Sequence, residues 1–442
     1  MATQTKKNGN FVAILAMFFL FAMISFVTNL AAPIGTIWKG QYSWAGMLGN
    51  LMNFAAYLFM GIPAGNLLAK IGYKKTALAA MVVGIVGLFF QYLSGIIGAD
   101  TATFSVSGQP VMLNFLIYLL GAFICGFCVC MLNTVVNPML NLLGGGGNNG
   151  NRLLQTGGAF NSLSATLTPF FVGMLVGQVT AETSMTNVNV LLFIAMAVFA
   201  IAFLIVSACP IPNPNISKKK VKYTHSAWSF RHTVLGVFGI FLYVGIEVGI
   251  PAILIFFLSD HIAENGMAVA GAVAAIYWLL MLVGRLVSSA ISGVVSSRTQ
   301  LIVVSTVGII LTVLAIILPL HIEVSMPAFS VEDGFTLANV PISALMLVLV
   351  GLCTSVMWGG IFNLAVEGLG KYTAQASGIF MMMVVGGGVM PFIQELIAGS
   401  FGYLESYWLV VAMLAYLLYY ALIGSKNVNT DIPVDDEPLN AA

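Results

Sequence analysis

The sequence is short of charge. Only 7% of its 442 residues are Asp, Glu, Lys or Arg, where a soluble domain carries roughly a quarter. With 60% hydrophobic residues, that deficit excludes a water-soluble globule and points to a polytopic protein embedded in a lipid bilayer. Sixteen basic residues stand against fifteen acidic ones. A balance this close to zero provides no field to attract nucleic acid, and no such partner is expected. Histidine is scarce: His225, His232, His261 and His321 fall in loops or at interfaces, and none suggests a proton relay. Of five cysteines, Cys125, Cys128 and Cys130 cluster, but no His or acidic residue lies close in sequence to complete a metal set. They read as small buried helix residues, and no metal or cofactor is expected. A separate cleavable signal peptide is also not expected, because the apolar run 11–33 is too long for one and long enough to span.

What is present is hydrophobic length. A span needs about 20 apolar residues, and twelve candidates appear: 11–33, 44–68, 76–97, 112–143, 152–179, 187–209, 231–258, 267–296, 300–321, 341–366, 373–398 and 405–424. The longest non-apolar stretch between them, NPNISKKKVKYTHSAWSFRH at 213–232, follows span six and divides the chain near its middle. The expected organisation is an N-terminal six-helix half (1–212), a cytoplasmic linker (213–230), a C-terminal six-helix half (231–425) and a disordered acidic tail (426–442). Polar loops at 98–111 and 322–340 separate spans three from four and nine from ten. With both termini in the cytoplasm, nearly all Lys and Arg outside the spans fall on the cytoplasmic side and only Lys39 falls outside, as the positive-inside rule requires.

The halves repeat weakly. Gly65-x-x-x-x-Lys70 closes span two and Gly293-x-x-x-x-Arg298 closes span eight. Gln155-Thr-Gly-Gly opens span five and Gln375-Ala-Ser-Gly opens span eleven, and each of those spans later carries a proline, Pro169 or Pro391. Matching features in two six-span halves predict a duplicated transporter with its site at the interface between them.

Polar residues inside the spans mark that site. Asn133, Asn137 and Asn141 recur at helical spacing on one face, followed by a glycine-asparagine turn over 144–151 and a helix carrying Asn161, Ser162, Ser164, Thr166 and Thr168. Amides turned toward lipid would lack partners, so these are expected to line an internal path, although amides also tie helices together. Glu247 sits mid-span in YVGIEVGIP, and Arg285 lies in span eight, either as its structural ion-pair partner or as part of a working site. Tyr277, Trp278 and Trp358 place aromatic rings at mid-depth. Sugar rings stack on such side chains while amides take the hydroxyls; packed or lipid-facing aromatics are the alternative.

GNLLAKIGYKK, at 65–75, resembles the loop signature of the major facilitator superfamily, with Ala69 where the pattern has Asp. By that resemblance Gly65, Lys70, Gly72, Lys74 and Arg298 form a cytoplasmic gate. NTVVNPMLNLLG, NRLLQTGGAFNSL, FLYVGIEVGIP, MLVGRLVSS and IFNLAVEGLGKYTAQASGIFMMMVVGGGVMP look like the fucose/glucose-galactose permease family. The resemblance covers essentially the whole chain. It implies an all-α membrane protein of twelve helices in two six-helix halves, alternating access, and a monosaccharide substrate usually taken up with a proton. Asn29 and Asn133 stand where fucose-type members carry an Asp and a Glu, so here neither titrates. Asn137 and Asn161 match the family's asparagines, and Glu247 matches an acid of the glucose-galactose branch.

The expected function is a monomeric inner-membrane importer of a hexose or deoxyhexose. Asn29, Asn133, Asn137 and Asn161 would hold hydroxyls from one half, with Glu247, Trp278 and Trp358 from the other, and Glu247, beside Arg285, is the candidate for proton coupling. An uncoupled or otherwise-coupled facilitator of a small polar solute and a non-transporting sugar sensor are the alternatives. No nucleophile-base pair or metal set supports an enzyme.

Overall fold

The computed structural model describes residues 2–106, 108–143, 147–176, 183–211, 225–262, 265–291, 295–330, 334–369 and 372–434. Most of the expected linker, Lys371 and the end of the tail lie outside these residues, as do the side chains of Asn141, Arg152, Gln155, Pro169 and Gln375. The bundle is all-α, and the described residues form twelve long helical segments, eleven of them long and apolar enough to cross a membrane. They comprise α1 (Ala2–Gln41), two segments within α2 (Leu48–Leu93), α3 (Leu113–Leu143), α4 (Gly147–Val176), α5 (Asn189–Ala208), α6 (Arg231–His261), α7 (Gly266–Ile291), α8 (Ser297–Ile317) and α9 (Ile342–Val366). The eleventh segment is split into α10 (Thr373–Met383) and α11 (Gly386–Phe401), and α12 (Trp408–Tyr419) is the last. An even number of segments brings the first and last helices to the same end of the bundle.

Gly72 creates the boundary inside α2. It adopts φ 83 and ψ 174, a conformation open to glycine at little cost, and so turns one long apolar run into two crossings. Just beyond, the Lys74 ammonium donates to the Ser207 and Cys209 carbonyls at 2.7 and 2.9 Å, capping the end of α5. The other half repeats the device. Arg298 Nε donates to the Ala421 carbonyl at 2.7 Å, and its Nη2 to the Leu422 carbonyl, in the π-helical turn that ends α12. Exposed helix ends leave carbonyls unpaired, and a cation there is favourable twice over, as donor and as counter-charge to the helix dipole. Lys74 and Arg298 thus play matching capping roles, whereas Lys70 is exposed. Both caps bind within their own half.

At the opposite end the duplication extends to the loops. Both stretches expected as polar loops fold into antiparallel hairpins, β1 (Ala102–Val106) with β2 (Gln109–Met112) and β3 (Glu323–Ser330) with β4 (Gly334–Pro341). Gly108, at φ 81, sits in the first turn, and Gly334, at φ 70, opens β4 after the second.

The halves meet along two pairs of helices, α4 with α7 and α2 with α11. The second contact depends on glycine. A side chain at Gly386 would collide with the Phe241 carbonyl of α6, and one at Gly387 or Gly388 with Phe54 or Leu51 of α2. The bare ridge lets α11 approach α6 and α2 at backbone distance. There the Asn50 amide donates to the Gly387 carbonyl at 2.7 Å, from one half to the other.

Candidate functional site at the seam between the halves

Starting from the N-terminal half, Asn133 on α3 donates to the Tyr57 hydroxyl of α2 at 2.8 Å. One turn on, Asn137 donates to the Asn133 carbonyl at 2.9 Å and approaches its Oδ1 at 3.4 Å. Both amides remain partly exposed although they lie deep in an apolar helix. Asn161 on α4 donates to the Phe21 carbonyl of α1 at 3.1 Å. Gly157, one turn earlier, faces both Phe21 and Leu140, so α1, α3 and α4 converge there. Asn29 turns back on its own helix, donating to the Ser25 carbonyl at 2.9 Å and to its hydroxyl at 3.2 Å.

From the other half, Arg285 on α7 crosses the seam. Its Nη1 donates to the Gly158 carbonyl at 3.0 Å and to the Ser162 hydroxyl at 2.6 Å, both on α4. Its Nη2 donates to Glu247 Oε1 on α6 at 3.2 Å. The planar guanidinium has donors enough for both directions at once. The side chains of Arg285 and Glu247 are 21% and 16% exposed, enough shielding to make the pairing consequential. One cation thus links the acid of one half to the helix that carries Asn161 in the other.

Aromatic rings flank the pair. Tyr243, one turn before Glu247, is fully buried. Its ring lies 6.1 Å from that of the partly exposed Trp358. Trp278 is on the same face of α7 as Arg285, two turns away, but it is buried and edge-on to Tyr277 at 5.4 Å. Tyr277 in turn hydrogen-bonds Thr354 of α9 at 3.0 Å. The structure therefore places Asn161, Arg285 and Glu247 along the helices of the seam, with Asn133 and Asn137 together on α3 beside Tyr57 and Trp358 on α9 beside Tyr243. Asn29 makes its hydrogen bonds within α1. Gly65 is exposed, with open space beside it, near the end that carries the caps.

Sequence reasoning missed three of these residues. Tyr57 sits in an apolar run with nothing to set it apart. The Tyr243-x-x-x-Glu247 spacing was a usable signal, since residues four apart share a helix face. Ser162 was noted as a polar residue of its helix but not as a partner for Arg285.

Replacing Asn133 with Leu removes a donor and an acceptor while keeping the volume. The variant is expected to fold and to weaken ligand binding by about 1–3 kcal/mol, or roughly five- to 150-fold in Kd. Calorimetric titration of purified protein checks this, and unchanged affinity would move the site away from α3.

Twelve helical segments in two packed halves, with Asn161 and the Arg285–Glu247 ion pair along the seam, form the architecture of a secondary transporter. The chain belongs to the Major Facilitator Superfamily, whose model matches residues 11–391. That membership makes it a membrane transporter rather than an enzyme. It is 30% identical over 441 residues to a glucose/galactose transporter of Brucella abortus, covering 96% of this chain and 97% of that one. It is 29% identical to a putative glucose/galactose transporter of Helicobacter pylori, with 95% and 98% covered. Among solved structures, a single-residue variant of the Escherichia coli fucose:proton symporter shares the fold at a TM-score of 0.65 and 18% identity, over 95% of this chain and all of that one.

Proposed function

We propose that the chain imports a monosaccharide, a hexose or deoxyhexose, across the bacterial inner membrane by alternating access. The observation that carries this reading is the Arg285 bridge, which ties Glu247 to the helix that carries Asn161 in the other half. A sugar offers many hydroxyls and one apolar ring face. Asn133, Asn137 and Asn161 can donate to or accept from hydroxyls, and Trp358 presents a partly exposed ring beside Tyr243. The names of the glucose/galactose relatives support the same substrate class. Both halves lie in one chain, which supports action as a monomer.

The orientation proposed is termini and caps in the cytoplasm and hairpins outside, supported by the bias of Lys and Arg. Proton coupling through Glu247 is the favoured mode. Uncoupled transport is the second reading, because Asn29 and Asn133 cannot titrate and Glu247 already has a cationic partner at 3.2 Å.

Uptake into proteoliposomes of a panel of radiolabelled hexoses, deoxyhexoses and amino sugars tests the function. Saturable uptake of at least one sugar, competed by its close epimers, is expected. Binding without uptake would instead indicate a sensor, and neither would reject the substrate class.

A further inference from the structure

Lys39 is the cation that breaks the charge bias, and its surroundings explain it. It lies in the last turn of α1, and its ammonium donates to Asp260 Oδ2 at 2.6 Å, in the last turn of α6 in the other half. It also donates to the Tyr403 hydroxyl, which itself donates to Asp260. The ammonium lies 4.8 Å from the centre of the Tyr403 ring and 5.3 Å from that of Phe256. Asp260 is misplaced by itself, since an acid at a helix C-terminus opposes the helix dipole, and Lys39 relieves that opposition.

A second contact closes the same end. Glu395 of α11 is 4% exposed, and its Oε2 accepts the backbone N–H of Met47, just before α2, at 2.8 Å. Its Oε1 lies against Gly46, where any side chain would strike the carboxylate and Phe256. Charged or hydrogen-bonded atoms thus join the halves twice at the hairpin end, α1 to α6 and the 42–47 turn to α11.

We infer that Lys39 and Glu395 form a two-part latch that holds the hairpin end shut, and that both must release for the halves to part there. The inference rests on the alternating-access reading. Its test needs no substrate, so its failure is distinct from a failure to find the sugar.

Spin labels are placed at Gly40→Cys and Gly399→Cys, both with open space around them, in the full chain in nanodiscs; the native cysteines are buried. Pulsed electron–electron resonance then reads the distance across the hairpin end. Lys39→Met is expected to raise the long-distance population by about three- to fivefold, the size of effect a partly exposed charge contact gives, and Glu395→Ala by about tenfold or more, because its hydrogen bond to Met47 is buried. The swap of Lys39→Asp with Asp260→Lys is expected to restore the parent distribution. Unchanged distributions in both folded single variants overturn the latch. If the single variants do not fold, the swap decides: parent-like distances support the latch, and a persistently long distance overturns it.

Discussion

Replacing Arg285 with Met is expected to cut sugar uptake about a hundredfold or more and to lower the melting temperature of the purified protein. The reason is arithmetic as much as geometry. Arg285 holds three acceptors on two halves, Gly158, Ser162 and Glu247. Removing it strands a mostly buried carboxylate, and leaving one partner of a buried pair uncompensated costs about 3–5 kcal/mol. That strain is relieved by a second change. In Arg285→Met/Glu247→Gln the charge is gone, so the melting temperature should recover much of its loss. Uptake should not recover, because the bridge between the halves is still missing. Separating stability from transport in this way makes the prediction sharp: a double variant that regains both would mean the pair is only a structural plug.

Replacing Glu247 alone should give a different result. A proton symporter needs a group that changes charge as the site passes from one side to the other, and Asn29 and Asn133 cannot. In proteoliposomes carrying the native chain, a pulse of sugar is expected to acidify the lumen. Glu247→Gln should abolish that signal while exchange of sugar for sugar continues at near its former rate. The milder outcome follows from the contacts. Arg285 keeps its two acceptors on α4, and the Gln carbonyl can still accept from Nη2. A lumenal pH dye and counterflow of labelled sugar measure the two quantities in one preparation. Accumulation without proton movement in the native chain would leave Glu247 a binding or structural residue.

Much of the fold was legible because membrane crossings announce themselves by length and apolarity. The long apolar helices of both halves follow from that signal. The pairing of Glu247 and Arg285 was legible too, as two charges of opposite sign within neighbouring spans. The other arm of Arg285 was not, because the Gly158 carbonyl is backbone and carries no sequence mark. Glu395 seats on a backbone N–H and was hidden for the same reason. The gate signature also divided in a way spacing could not show. Gly72 provides a turn, Lys74 and Arg298 cap helix ends, and Lys70 is left exposed. Hairpins in the polar loops went unread because short strands of Thr, Ser and Val among turn residues carry little of the periodicity that a buried face imposes.

The bare ridge at 386–388 has a mechanical consequence. Where side chains interdigitate, turning one helix against another forces rotamers through eclipsed angles, and the interface advances in steps. Glycine has no rotamers. Along Gly386, Gly387 and Gly388 the surface of α11 is backbone alone, resting on the Phe241 carbonyl on one side and on Leu51 and Phe54 on the other. Such a surface has no rotamers of its own to unlock as it turns. What crosses the ridge in the way of polar contact is the Asn50 amide on the Gly387 carbonyl, a bond that a turning helix can break and remake without any side chain of α11 moving.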